Sequence, residues 1–240
     1  MKKFLTVALA GVLAASMLFT GCSKKAESKV PDKLIVGTNA EFPPFEYMND
    51  KKQPEGFDIA MIKEIGKRMG KKVEIKNMEF KSLIGAMESD SINAIIAGMT
   101  KTEKREKAVD FSDSYYTTNQ AIILKKDSKI TKLAQLDGKK IGVQEGTTGD
   151  LISSGDKFGD GKKAKVLVKG AKVKRFKKGV DAVMDLKNGS VDAVVIDELT
   201  ANEFVKKNAK KLKIVIDSAG SENYLSLIHI SEPTRPRLIS

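Results

Sequence analysis

Histidine occurs once in the 240 residues, at position 229, cysteine once, at position 22, and tryptophan not at all. A Ser-His-Asp triad or a Cys-His pair therefore has no members in the body of the chain. No Cys/His cluster has the spacing that zinc requires, and a single cysteine excludes a disulfide framework. The GxxxxGK pattern of a P-loop is missing. With 31 aspartates and glutamates, no carboxylate pair stands out as acid/base machinery. The formal net charge of +12 could suggest nucleic acid. The lysines, however, are scattered as KK pairs without interleaved aromatics, so no nucleic-acid partner is expected. A lysine-coated exported protein beside an anionic membrane is the simpler account. These absences favour binding over turnover, with no catalytic residue, metal or cofactor expected.

Long apolar runs are also scarce. The longest, Phe4–Phe19, follows Lys2 and Lys3 and is shorter than the roughly 20 residues of a spanning helix. A basic start, this run, and Thr20-Gly21-Cys22 describe an export signal over residues 1–21. The lone thiol directly after it resembles a lipobox, although Phe19 stands where leucine is usual and Leu18 lies one place early. Cys22 is then the acylated mature N-terminus, and two acyl chains hold a soluble domain stably to a bilayer. The expected location is the outer face of the plasma membrane, or the periplasm. Residues 22–31 are polar and aperiodic and read as a tether. At the other end, LSLIHISEPTR from Leu225, then PRLIS, resembles translated sequencing-adapter text. Residues 225–240 are accordingly expected to be non-native, and His229 carries no chemical argument.

What is present centres on Ile92–Arg105, INAIIAGMTKTEKR. Ile92–Ala97 reads as a buried parallel strand broken at Gly98. Thr100 and Thr102 follow, with Thr102 capping a short helix and Arg105 in its first turn. Ligands of open α/β sheets bind beyond the carboxyl ends of such strands, and a guanidinium there can clamp a carboxylate. An ion pair with Glu106 or Asp110 is the plainer alternative. Ser190-Val-Asp-Ala-Val-Val195 nearly repeats Ser91-Ile-Asn-Ala-Ile-Ile96 and delivers Asp197 at its end. One half thus supplies a cation and the other an anion, as a free amino acid requires. Helix capping is the competing role for Asp197.

The remaining chain reads as alternating strands and helices, an α/β pattern with right-handed crossovers. Leu34–Thr38 is a strand, followed by an aromatic loop stiffened by Pro43 and Pro44. Phe42, Phe45 and Tyr47 cannot all point inward from so short a loop, and Phe42 is the residue expected to line a pocket. Asp58 is expected to cap a helix that buries Ile62, Ile65 and Met69. Val73–Ile75 is a strand and Phe80 opens the next helix. Thr117–Leu124 leads out to a second α/β lobe. There Gln144-Glu-Gly-Thr-Thr-Gly149 offers a nest of donors for an oxyanion. Val180, Val183 and Met184 are expected on one buried helix face. The predicted organisation is lobe 1 over 32–117, a crossing at 118–125, lobe 2 over 126–218, and a second crossing beginning at 219–224.

GTNAEFPPFEY (37–47), GFDIAMIKEIGKRMG (56–70), INAIIAGMTKTEKREKAVDFSDSYY (92–116), LDGKKIGVQEGTTG (136–149) and SVDAVVIDE (190–198) resemble the solute-binding proteins of ABC importers for polar amino acids. The resemblance spans about residues 32 to 217. It implies a two-lobed α/β fold of the periplasmic-binding-protein type II class, here with its C-terminal return to lobe 1 cut short. It further implies a monomer that closes on an amino acid and delivers it to a membrane permease. By that resemblance Arg105 holds the ligand carboxylate, helped by Gly98, Thr100 and Thr148, and Asp197 takes the ammonium. Phe42 and Phe80 sandwich the side chain, and Asn39 or Glu41 meets its far end. Glu41 and Glu46 near the mouth favour arginine or lysine, with glutamine or cystine as the alternative. A dehydratase-like enzyme using Glu145 or Glu41 as base, or a sensor input domain, is the competing class.

Overall fold

The computed structural model describes residues 32–155 and 168–229. The export signal, Cys22 and the tether, the lysine-rich stretch 156–167, and the chain from 230 onward lie outside the described residues.

The first lobe opens with β1 (Lys33–Thr38) and a small antiparallel sheet of β2 (Glu41–Phe42), β3 (Glu46–Met48) and β4 (Pro54–Glu55). Then come α1 (Phe57–Arg68), β5 (Lys72–Asn77), a single 3-10 turn at Phe80–Ser82, α2 (Leu83–Glu88), β6 (Ala94–Thr100), α3 (Glu103–Glu106) and β7 (Val109–Phe111). β8 (Tyr116–Lys125) leads to the second lobe. That lobe holds β9 (Lys140–Gln144), α4 (Thr148–Ser154), β10 (Lys172–Phe176), α5 (Gly179–Asn188), β11 (Ala193–Asp197) and α6 (Glu198–Lys206). β12 (Leu212–His229) closes the series.

The strands join into one nine-stranded sheet, ordered β10-β9-β11-β8-β12-β6-β1-β5, with β7 on β12. β1 is parallel to β5 and β6, and β9 is parallel to β10 and β11, so each lobe has a parallel centre. β8 and β12 run antiparallel between them, and β12 pairs first with β8, then with β6 and β7.

Both faces of the sheet are covered, which is why its strands read as unbroken apolar runs. In β6, Ala94 and Ile96 pack beneath α1 while Ile95, Ala97 and Met99 face Leu83 and Met87. β8 and β11 alternate in the same way: Ile122 with Val195 on one side, Ile123 with Val194 and Ile196 on the other. The prolyl loop sends both Phe42 and Phe45 into the core, where they meet Tyr224 and the lobe-2 cluster.

Several local expectations change. β6 begins at Ala94 and runs through Gly98 to Thr100 instead of breaking at Gly98, because the glycine takes φ +50 and stays in the ladder. Asp58 does not cap α1. Gly56 holds that position, and Asp58, buried one turn inside, accepts from the Gly98 amide at 2.9 Å and the Tyr115 hydroxyl at 2.8 Å. Met69 is exposed, and Ile59 takes its place on the buried face of α1. Val180 and Met184 are exposed while Ala182, Val183 and Leu186 are buried, a one-residue rotation of the face of α5. The return to lobe 1, expected to be cut short, is present. Tyr224–Ile228 run along β6, with Leu225 and Leu227 buried and Ile228 exposed, an alternation that suits a strand with one face on the core.

Candidate ligand-binding site

At the carboxyl end of β6, Thr102 caps α3 by accepting from the Arg105 amide at 3.2 Å. That turn aims the Arg105 guanidinium across the cleft. It donates to the carbonyl of Thr100 on its own lobe and, at 2.9 Å, to the carbonyl of Gly146 on the other. Its carbon lies 5.4 Å from the centre of the Phe80 ring. Glu106, one alternative partner, pairs instead with Lys101 at 2.6 Å. Burial pulls the Arg105 pKa down to about 10, against the upward fields of Glu222 and Asp197. A cation held this way, on neutral carbonyls, suits an anionic ligand that would replace or join them.

At the carboxyl end of β11, Asp197 occupies the position before α6, but its side chain makes no capping bond. The capping role is thus not the one realised. The carboxylate is buried and accepts from the Tyr224 hydroxyl at 2.6 Å. Burial raises its pKa well above the usual range, and Glu222 adds to this, while hydrogen bonds from Tyr224 and Gln120 oppose it. Glu222, on β12, accepts from the Thr100 hydroxyl at 2.7 Å and from the Gln120 amide. The sequence reading had missed Glu222. It sits in a polar stretch without apolar periodicity, and its partners lie about a hundred residues away along the chain.

The other expected residues are distributed around this axis. Gly98 abuts Phe42, and Phe42 faces Phe45 and Tyr224, whereas Phe80 faces Arg105, so the two rings are engaged separately. Asn39 accepts from the Gln144 amide across the cleft at 2.8 Å and donates to the Met78 carbonyl at 2.8 Å. Glu41 pairs with Lys178 of the other lobe at 2.7 Å. Thr148 opens α4 and is half-buried. In the neighbouring nest the Thr147 hydroxyl donates to the Gln144 carbonyl and the Gly146 amide to Asp150, so these donors are satisfied internally. Lys81–Glu145 and Lys177–Glu79 add two more ion pairs between the lobes. Glu145, a conceivable base, is thereby an exposed cross-lobe partner.

A cavity of about 580 Å³ opens between the lobes, within the size range of small-molecule sites. Phe80, Met99, Thr102 and Arg105 line one side, Glu145 and Gly146 the other. Asp197 and Phe42 lie outside that lining. Cation, cavity and buried anion therefore stand in sequence from one lobe to the other.

Residues 34–223 match the family described as bacterial extracellular solute-binding proteins, family 3. The chain belongs to this family. It is 35% identical to the arginine-binding extracellular protein ArtP of Bacillus subtilis over 230 residues, which cover 95% of this chain and 86% of that protein. Among solved structures it is similar to the arginine-bound form of a truncated ArgBP from T. maritima. There the identity is 40% and the TM-score 0.72, over 83% of this chain and 89% of the other. The arginine-, lysine-, histidine-binding protein ArtJ of Geobacillus stearothermophilus gives 36% identity and a TM-score of 0.74, over 84% of each. The two-lobed α/β fold expected of this solute-binding protein is thus the one it has. Its family consists of extracellular binding proteins, in keeping with a chain poor in catalytic residue types.

Proposed function

We propose that this protein captures a polar L-amino acid, arginine or lysine by preference, between its lobes and presents it to the permease of an ABC importer. One observation carries the reading. The Arg105 guanidinium and the buried Asp197–Glu222 carboxyls end two equivalent strands and lie within each other's electrostatic field. A zwitterionic α-amino acid matches that polarity end for end. Arg105 holds the carboxylate, with the Thr100 and Gly98 segment beside it and Thr148 opposite. Asp197 receives the ammonium. Phe80 flanks the aliphatic chain from the cavity side and Phe42 backs Gly98. Asn39 and Glu41 face the far end through partners of the second lobe that a ligand guanidinium can displace or join. The cationic preference draws on the arginine named for all three relatives above and on the carboxylates of this mouth.

The protein binds and releases its ligand unchanged. It works outside the cell membrane, held there by acyl chains on Cys22, as a monomer in solution. Closure follows from contact with both lobes, because a ligand with equal affinity for open and closed forms shifts nothing. The test is a thermal melt against the twenty amino acids, ornithine and cystine. A ligand at about 100 times its Kd adds roughly 2.7 kcal/mol. In a protein of this size that raises Tm by about 5–10 °C. Selective rises with arginine, lysine or ornithine are expected. A rise confined to glutamine or cystine would overturn the cationic preference. No rise with any, from a protein that melts cooperatively, would overturn amino-acid capture.

A further inference from the structure

Glu222 gives the ammonium site a second acid. It lies on the crossing strand, 9% exposed, and joins three elements: the Thr100 hydroxyl of β6, the Gln120 amide of β8, and Asp197 of β11. The surrounding charged and titratable groups can be taken element by element. From α3 comes Arg105, whose hydrogen bonds go to the carbonyls of Thr100 and Gly146. β12 contributes the Tyr224 phenol, bonded to Asp197. From β3 the buried Glu46 lies in the field of Asp197. Glu198 of α6 is turned away onto Asn119 at 3.0 Å.

Two carboxyl groups in contact and shielded from water cannot both be ionised cheaply, and such a pair titrates as a unit. An ammonium carries three N–H donors, more than one aspartate receives well. We propose that Asp197 and Glu222 together form the receptor for the α-ammonium of the ligand, and that the pair holds one proton which the arriving ammonium expels. This inference rests on the amino-acid-capture reading above and adds to it that capture is proton-linked. The balance is simple. The bridging proton leaves to bulk water, the ammonium N–H groups take its place between the two oxygens, and the site keeps a single net negative charge throughout. A buried site accepts such a charge-neutral exchange far more readily than a new charge. The raised pKa of Asp197 agrees with a proton retained at neutral pH.

The test is isothermal titration of the whole protein with L-arginine at one pH in two buffers of different ionisation enthalpy, repeated from pH 5 to 9. Wild type should release about one proton per arginine on the acid side, with Kd tightening ~10-fold per pH unit there. Glu222→Gln should lose most of that release and flatten the pH dependence, while Glu222→Asp should keep both. Capture by wild type with no proton exchanged and a flat profile would overturn the proposal without needing any variant to fold. Equal release from wild type and Glu222→Gln would overturn it as well. Absence of any thermal shift with all amino acids would instead bring down the capture reading and this inference with it.

Discussion

Replacing Arg105 with methionine separates what the guanidinium does for the fold from what it does for the ligand. Its pKa falls from an ordinary 12.5 to about 10. At 1.36 kcal/mol per unit, that depression corresponds to a penalty of about 3 kcal/mol on the charged form. Against it stand the bonds to the Thr100 and Gly146 carbonyls, each worth roughly 1.5–3 kcal/mol for a charged donor, and the face of Phe80. Costs and gains nearly cancel, and methionine fills the same length with an apolar chain. The Tm without ligand should therefore move by no more than about 3 °C, near 1 kcal/mol for a protein of this size. Ligand capture should behave differently. Losing a charge-assisted contact with the ligand carboxylate in a closed cleft costs roughly 2–5 kcal/mol. Affinity then falls by a factor of about 30 to 5,000. At a ligand concentration near 100 times the wild-type Kd, the stabilisation drops from roughly 2.7 to under about 1 kcal/mol. Differential scanning fluorimetry with and without arginine reads both quantities on one sample. A ligand-free Tm lower by about 10 °C or more would make Arg105 a structural residue. An intact ligand-induced rise would remove it from the site.

Gly98→Ala should lower Tm by several degrees. The position holds φ +50, and an added Cβ would stand 3.2 Å from Phe42 and 3.4 Å from Tyr224. The backbone strain costs about 1–2 kcal/mol, and overpacking adds a similar amount; an unchanged melt would refute the strain. Glu46→Gln should stabilise the protein, and more so at pH 8 than at pH 5. Burial and the neighbouring Asp58 hold the Glu46 pKa well above 4.5, so folding keeps a proton that the unfolded chain gives up. The native Glu46 thus loses stability as pH rises from about 4.5 toward its folded pKa. Parallel Tm-versus-pH curves for the two proteins would contradict this. Lys178→Ala removes a half-exposed ion pair with Glu41, so arginine Kd should change by less than about fivefold, the worth of such a pair being at most ~1 kcal/mol. A much larger loss by titration calorimetry would mean that this pair helps to hold the closed form.

How far the sequence could be read depended on whether each signal was local. The central strands, the Thr102 cap and the opposition of Arg105 to Asp197 were legible because each is written within a dozen residues. Asp58 was misread because a carboxylate near a helix start looks like a cap whether it bonds the helix or, as here, a strand forty residues on. Met69 and Met184 lie next to the apolar stripes of their helices, and stripe width cannot be judged from spacing alone. Leu225 and Leu227 were set aside as foreign text although their alternation is that of a strand. Glu222 could not have been found without the register of β12, since nothing in Ser-Glu-Asn-Tyr announces a partner in Thr100.

β8 and β12 lie side by side over much of their length, and both run from one lobe into the other. A hinge of this kind is a two-stranded ribbon, stiff against sliding because a one-residue slip would turn every side chain to the wrong face. It is compliant in twist, and the register shift between Ile216 and Ser221 places the softest point near its middle. The same ribbon carries Gln120, Glu222 and Tyr224 into the site and, on its exposed side, the Thr117–Asn223 bond at 2.7 Å. The part that bends is thus also the part that senses the ligand. Twist preference set by surface residues such as Thr117 and Asn223 becomes a dial on affinity that no ligand atom touches.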